Sequence, residues 1–101
     1  MNVSKQEINK IFEEIAKQMI DIGIPIMQEK INPIVQYNKR TSSFGLCKRN
    51  NKIGAYTVYL SEFALQDKEE IKETLAHELI HTLDGCMNHG TKWLYWANIA
   101  N

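Results

Sequence analysis

A stretch near the C-terminus, HELIHTLDGCMNHG (residues 77–90), contains all three histidines of the chain and a glutamate between two of them. His77 and His81 are one helical turn apart, so their imidazoles point the same way and can bind one metal ion. Glu78 is offset by one position, and its carboxylate reaches the open side of such an ion, where it can accept a proton from an attacking water. The pattern His-Glu-x-x-His therefore indicates a metal-dependent hydrolase. The alternative is a helix whose His–Glu–His face is merely polar.

A catalytic zinc site needs a third protein ligand in addition to the two histidines. No glutamate follows Glu78, and the continuation His-x-x-Gly-x-x-His is absent, so two known ligand arrangements are excluded. The candidates that remain are Asp84, Cys86 and His89. Asp84 lies three residues after His81 and can face the same ion, whereas Cys86 is the weakest candidate on spacing. We favour His89, because imidazole suits zinc well and the chain beyond the helix can fold back over the site.

The elements that must position these residues begin with a helix at the N-terminus. Ser4 and Glu7 form a capping-box pattern, which predicts a helix start. Apolar residues then recur at spacings of three and four, which predicts one buried helix face: Ile8, Ile11, Phe12, Ile15 and Met19. Gly23 followed by Pro25 is expected to end this helix.

The middle of the chain predicts a small sheet. Residues 31–37 resemble a strand entered through Pro33, residues 44–48 a short strand, and residues 55–60 (AYTVYL) the clearest strand, rich in β-branched and aromatic residues. Turn-forming residues at 49–52 separate the last two strands. We therefore expect an antiparallel three-stranded sheet.

Two further helices are predicted to follow the sheet. Asp67 begins the first, which carries the His-Glu-x-x-His motif and ends at Gly85. Its apolar residues lie on the half of the helix opposite the histidines: Ile71, Leu75, Leu79 and Leu83. The second helix starts after Gly90 and carries Trp93 and Trp96, which we interpret as core anchors. The expected fold class is α+β, with an N-terminal helix, the sheet, the motif helix and a C-terminal helix in one domain of residues 1–101.

Composition and charge narrow the functional classes. The longest apolar stretch, residues 22–27, is too short to span a membrane, and no signal peptide is recognisable, so we expect a cytoplasmic protein with two free cysteines, Cys47 and Cys86. The net charge is zero, yet residues 30–61 contain six basic and no acidic residues. One interpretation is a nucleic-acid contact through basic residues of this segment: Lys39, Arg40, Lys48, Arg49 and Lys52. The other interpretation is a solvated hairpin with a basic rim.

The extended pattern HELIHTLDGCMNHGTKW resembles the signature of the SprT-like zinc metalloproteases (Spartan-type SprT domains). The resemblance rests on His77-Glu78-x-x-His81, on His89-Gly90-x-x-Trp93 and, upstream, on Phe44-Gly45-x-Cys47. A strand ending in Leu60-Ser61 and a helix over residues 68–75 also match. The resemblance covers roughly residues 1–101 and is strongest from residue 56 onward.

The resemblance implies a minimal zincin-like fold with Zn²⁺ held by His77, His81 and His89. It also implies that Glu78 is the catalytic carboxylate in the hydrolysis of peptide bonds, with DNA-bound protein as a candidate substrate class. Many members of the family continue into a separate zinc-binding segment or a basic tail, and this sequence has no CxxC pair. The resemblance therefore leaves both alternatives for this chain, a peptidase that acts with DNA and one that acts without it.

A helper for the developing oxyanion is expected, and the sequence offers four candidates for it: Arg40, Tyr56, Tyr59 and Tyr95. Two alternative functions compete with a peptidase. One is a catalytically silent domain that zinc merely stabilises, and the other is a nucleic-acid-binding module that uses the basic segment.

Overall fold

The computed structural model describes residues 2–100 and confirms an α+β fold with three α-helices and a three-stranded sheet. The elements in chain order are α1 (Lys5–Asp21), a short 3-10 helix (Gln28–Lys30), β1 (Gln36–Asn38), β2 (Gly45–Asn50), β3 (Ala55–Ser61), α2 (Lys68–Ile80) and α3 (Thr91–Ala100). Within this range, no helix is both long and apolar enough to cross a membrane.

Helix α1 begins and ends at the residues that the sequence predicts. The Ser4 hydroxyl accepts a hydrogen bond from the backbone N–H of Glu7 at 3.2 Å, which satisfies one of the free N–H groups of the first turn. Gly23 has a φ of 94°, a conformation that favours glycine, and the chain leaves the helix there. The predicted apolar face is buried against α2 and the sheet at Ile8, Ile11, Phe12 and Met19, while Ile15 is half-buried.

The sheet is mixed, so the expectation of an antiparallel sheet is wrong for one of its two pairings. The strand order is β1-β3-β2, with β2 antiparallel to β3 and β1 parallel to β3. The segment of residues 39–44 steps across the end of β3, where Ser61 holds it. The Ser61 hydroxyl donates to the carbonyl oxygen of Arg40 at 2.6 Å, and its N–H donates to that of Phe44 at 2.8 Å. These contacts hold the segment where it crosses the end of the central strand. The alternation of apolar and polar residues within strands does not predict such a crossing.

Strand β1 is shorter than predicted because its first half leaves the ladder. Ile31 forms an isolated bridge with Tyr56, but Pro33 has no N–H to donate. The side chain of Asn32 accepts from the N–H of Ile34 at 3.0 Å and closes a turn. Regular pairing resumes only at Gln36.

Helix α2 ends at Ile80, five residues before the predicted end at Gly85. Its N-terminus is as expected, because the Asp67 side chain accepts from the N–H groups of Glu69 and Glu70. At the other end, the Thr82 hydroxyl donates to the carbonyl oxygen of Leu79 at 2.6 Å. The chain then tightens into turns and reaches Gly85, whose φ is 75°. His81 is consequently the C-cap and not a mid-helix residue.

Candidate metal centre

Three imidazoles converge on one point beside the C-terminal end of α2. The Nε2 atom of His89 lies 2.9 Å from Nε2 of His77 and 3.1 Å from Nε2 of His81. One ligand nitrogen from each residue lies within 4.8 Å of the other two, so the cluster could hold a metal ion. Two nitrogens bound to a tetrahedral zinc at its usual distance are about 3.3 Å apart. The two distances to His89 are close to this value, so the donor set fits such an ion after a small adjustment of the rings.

Each histidine is supplied by a different local structure. His77 projects from the last turns of α2, His81 is its C-cap in a helical conformation (φ −63°, ψ −17°), and His89 comes from the loop before α3. This loop turns back toward the end of α2 and places His89 beside His77 and His81. The Nδ1–H of His81 donates to the carbonyl oxygen of Cys86 at 2.6 Å, which leaves the lone pair of Nε2 facing the cluster.

Burial favours the neutral form of His77 and His81, which is the form that binds a metal. Desolvation lowers the pKa of His77, and the neighbouring His81 and His89 lower it further. Desolvation also lowers the pKa of His81, against the opposing effect of its bond to the Cys86 carbonyl, and His89 adds to the lowering. Both shifts make the ring lone pairs of His77 and His81 more available to a metal ion.

Glu78 lies in the same cleft as the histidines and is 6% exposed. The side of α2 opposite its apolar residues is therefore also partly buried, because β2 packs against it. Burial raises the pKa of the Glu78 carboxyl from its ordinary value of 4.5 to about 7. The same environment, together with the charge of Glu78, raises the pKa of the Cys47 thiol to about 12, so this thiol is inert.

Trp93 forms a wall of the cluster, whereas the sequence indicated only core packing for it. Its ring centroid is 4.7 Å from those of His77 and His89 and 5.9 Å from that of His81. The Nε1 atom of Trp93 is buried and has no hydrogen-bond partner among the described residues. The position of Trp93 on the first turn of α3 ties this helix to the site.

The alternative ligands lie outside the cluster. Asp84 is exposed, because α2 ends before it and the i+3 relationship to His81 is lost. Cys86 is fully buried, with its Sγ 3.7 Å from the carbonyl oxygen of Asp84. Cys86 contacts the site through its backbone carbonyl rather than its thiol.

None of the four candidate oxyanion helpers borders the cleft that contains the cluster, within the part of the chain that the structure describes. Tyr95 is 59% exposed and stacks edge-on against Trp96. Tyr59 lies below the ammonium group of Lys48, 5.3 Å away. Arg40 and Tyr56 lie in the crossing segment and in β3, outside the cleft.

The basic segment does not form one continuous stripe. All five candidate contact residues are exposed. Lys48 and Arg49 are consecutive in β2 and point to opposite faces of the sheet. Lys39 and Arg40 follow β1, and Lys52 lies in the turn after β2.

The fold and the cluster together define a small α+β candidate metalloprotein with a buried carboxylate beside three histidines. The family model of the SprT-like family matches residues 8–101, nearly the whole chain. The chain belongs to the SprT-like family, which confirms the resemblance inferred from the sequence. No curated protein and no solved structure matches it.

Proposed function

We propose that this protein is a zinc-dependent metallopeptidase in which His77, His81 and His89 hold the ion and Glu78 is the general base. The observation that carries the proposal is the convergence of three imidazole nitrogens in the same cleft as a buried carboxylate. Membership of the SprT-like family supports the same proposal.

Glu78 would perform the proton transfers of the reaction. His77, His81 and His89 would hold the zinc ion, which would supply the Lewis acidity that polarises a peptide carbonyl and makes a water acidic. Glu78 takes a proton from the attacking water as the new C–O bond forms, then delivers it to the amine nitrogen as the C–N bond breaks.

The cleft can align an extended peptide. It has a volume of about 470 Å³ and lies between the start of β2, α2 and the loop that carries His89. Since β3 is the central strand, one edge of β2 is unpaired within the described sheet. A substrate can hydrogen-bond to this edge as an added strand. Phe44 and Met87, 54% and 48% exposed, border the cleft and offer apolar contacts to substrate side chains.

The test compares wild type with Glu78→Gln for zinc content and for cleavage of unstructured protein substrates, with and without DNA. We expect the substitution to lower the cleavage rate on the order of 10³-fold, as loss of a general base does, while zinc remains bound. Glu70→Gln, which removes a carboxylate from the first turn of α2 outside the cleft, is the matched control. Full activity of Glu78→Gln would remove the role given to Glu78. A zinc-loaded wild type that cleaves nothing under either condition would favour a silent, zinc-stabilised domain.

A second candidate function is binding of nucleic acid, which would bring DNA-associated proteins to the cleft. It is favoured by one observation: the five exposed basic residues take part in none of the ion pairs formed within residues 2–100. Cations without an acidic partner are free to neutralise phosphates. The two functions are compatible.

A further inference from the structure

At Gly45, the first residue of β2, a side chain is excluded by lack of space and not by the backbone conformation. The glycines with positive φ are Gly23, Gly54 and Gly85, and Gly45 is not among them. Any L residue can therefore adopt its backbone conformation. What excludes a side chain at this position is the closeness of α2.

The gap between Gly45 and α2 is too narrow for a Cβ atom. A Cβ built on Gly45 would lie 2.6 Å from Cγ2 of Thr74, 2.9 Å from Oε2 of Glu78 and 3.1 Å from Cγ of Glu78. Thr74 and Glu78 are one turn apart on α2 and present the same face to the strand. Both side chains rest directly on the main chain of Gly45.

The strand at this point is held by bonds that resist a shift. Gly45 is paired with Leu60 in the sheet, and the preceding carbonyl oxygen, that of Phe44, accepts from the N–H of Ser61 at 2.8 Å. The carboxylate of Glu78 is thus supported on one side by hydrogen-bonded backbone, which has far less freedom than a side chain. An added methyl group would push on Glu78 and Thr74 before it moved the strand.

We infer that Gly45 is a positioning residue for Glu78: by lacking a side chain, it fixes the carboxylate in the orientation that proton transfer requires. This inference rests on the proposed function, because it gives Gly45 a role in catalysis through Glu78. The atoms nearest to a Cβ at Gly45 belong to Thr74 and Glu78 and not to a histidine, so the effect of Gly45 is separable from metal binding.

The experiment is Gly45→Ala, measured for kcat, KM, zinc affinity and unfolding midpoint. We expect kcat to fall on the order of a hundredfold, as misplacement of a catalytic group by about 1 Å does. KM and zinc affinity are expected to remain within about twofold, because no ligand moves and the binding edge of β2 is kept. A fall in kcat that is matched by a loss of zinc would overturn the inference.

Two double variants separate positioning of Glu78 from general packing. Gly45→Ala/Thr74→Ser removes the Cγ2 atom that is nearest to the new methyl, so the unfolding midpoint should recover while kcat stays low relative to Thr74→Ser alone. Recovery of kcat together with stability would show that Gly45 acts on packing only. Glu78→Ala removes both atoms of Glu78 that a Cβ at Gly45 would meet, so Gly45→Ala/Glu78→Ala should keep the same residual activity as Glu78→Ala. Two independent, multiplicative losses would count against the inference.

A crystal structure of the zinc-free Gly45→Ala variant tests the inference without reference to activity. The expected result is a displaced Glu78 carboxylate with the three imidazoles in place. An undisturbed Glu78 would overturn the positioning role even if the wild type is a peptidase. Conversely, a wild type that cleaves no substrate removes the proposed function, while a displaced Glu78 would still establish the contact.

Discussion

The imidazole of His81 is bound to the backbone of the loop that follows it, with Nδ1 2.6 Å from the carbonyl oxygen of Cys86. This bond joins the end of α2 to the segment that returns toward the cluster with His89. It fixes the ring orientation and the tautomer, as hydrogen bonds from the second ring nitrogen do in metal sites. The metal affinity of this protein should therefore depend on the conformation of residues 82–86, which include none of the three histidines.

Gly85→Ala should weaken zinc binding through this loop. Gly85 has a φ of 75°, and a Cβ there would lie 3.0 Å from Cδ of Lys92. The strain of about 1 kcal/mol for alanine in this conformation would be relieved by movement of the Cys86 carbonyl. We expect a loss of zinc affinity of about tenfold or more, the range seen when such supporting bonds are lost, measured by competition with a chelator.

Gly54→Ala is the matched control for that experiment. Gly54 has a φ of 64° in the β2–β3 turn, with open space where a Cβ would lie. The Gly54→Ala variant should lose about as much stability as Gly85→Ala and should keep its zinc. Equal loss of zinc in both variants would mean that global destabilisation, and not the loop, controls the affinity.

His89→Ala should remove bound zinc, whereas Asp84→Ala should retain it. His89 supplies one of the three converging nitrogens, and Asp84 is exposed beyond the end of α2. With only two protein ligands, zinc should be lost on dialysis against a weak chelator. Metal content of the purified variants decides the matter, and loss of zinc from Asp84→Ala alone would reverse the assignment.

Glu78→Gln should stabilise the zinc-free protein increasingly as the pH rises. The pKa of Glu78 is raised from 4.5 to about 7 in the folded state, so the folded state binds the proton more tightly than the unfolded state. The contribution of protonated Glu78 to wild-type stability is therefore fully present below about pH 4.5 and is lost as the pH rises through 7. Glutamine carries no charge at any pH, and its advantage should grow by up to about 3 kcal/mol between about pH 5 and 8.

Urea unfolding of the two zinc-free proteins at about pH 5, 6 and 8 measures this difference. Both contain the same histidines, so the histidine contribution to the pH dependence largely cancels. A difference in unfolding free energy that is constant across this range would contradict the raised pKa.

Trp93→Ala should lower both stability and zinc affinity, and Trp93→Phe should do so to a smaller extent. Trp93 packs against all three imidazoles. Truncation to alanine should cost on the order of 2 kcal/mol, less than for a fully buried tryptophan. Phenylalanine keeps an aromatic wall and removes an N–H that has no partner among the described residues. Trp96→Ala, which opens a gap on the same helix beside Tyr95, is the control and should keep its zinc affinity.

Replacement of the basic residues should reduce DNA binding if the second candidate function is correct. Paired alanine variants at Lys39 and Arg40, and at Lys48 and Arg49, should each lower affinity and reduce the salt slope by roughly 0.9 for each phosphate that is no longer neutralised. Lys10→Ala on α1 removes an exposed charge elsewhere and serves as the control. Binding that is negligible, or independent of salt in wild type, would reject a nucleic-acid interface.

Local spacing was enough to predict much of this molecule. The capping residues Ser4 and Asp67 begin helices where expected, and Gly23 ends one. The apolar spacing in α1 predicts its buried face, and the spacing of His77 and His81 predicts their shared direction. These features depend on helix geometry and on hydrogen bonds within a few residues, which the sequence carries directly.

Tertiary structure decided what lies between distant segments. Strand β1 pairs in parallel with β3, with the crossing segment bonded to Ser61, and the early end of α2 leaves Asp84 outside the cluster that His89 joins. The support of Glu78 by Gly45 joins residues 33 positions apart. The periodicity of the sequence does not predict such contacts. They arise where elements distant in sequence pack closely, so that only some side chains fit between them.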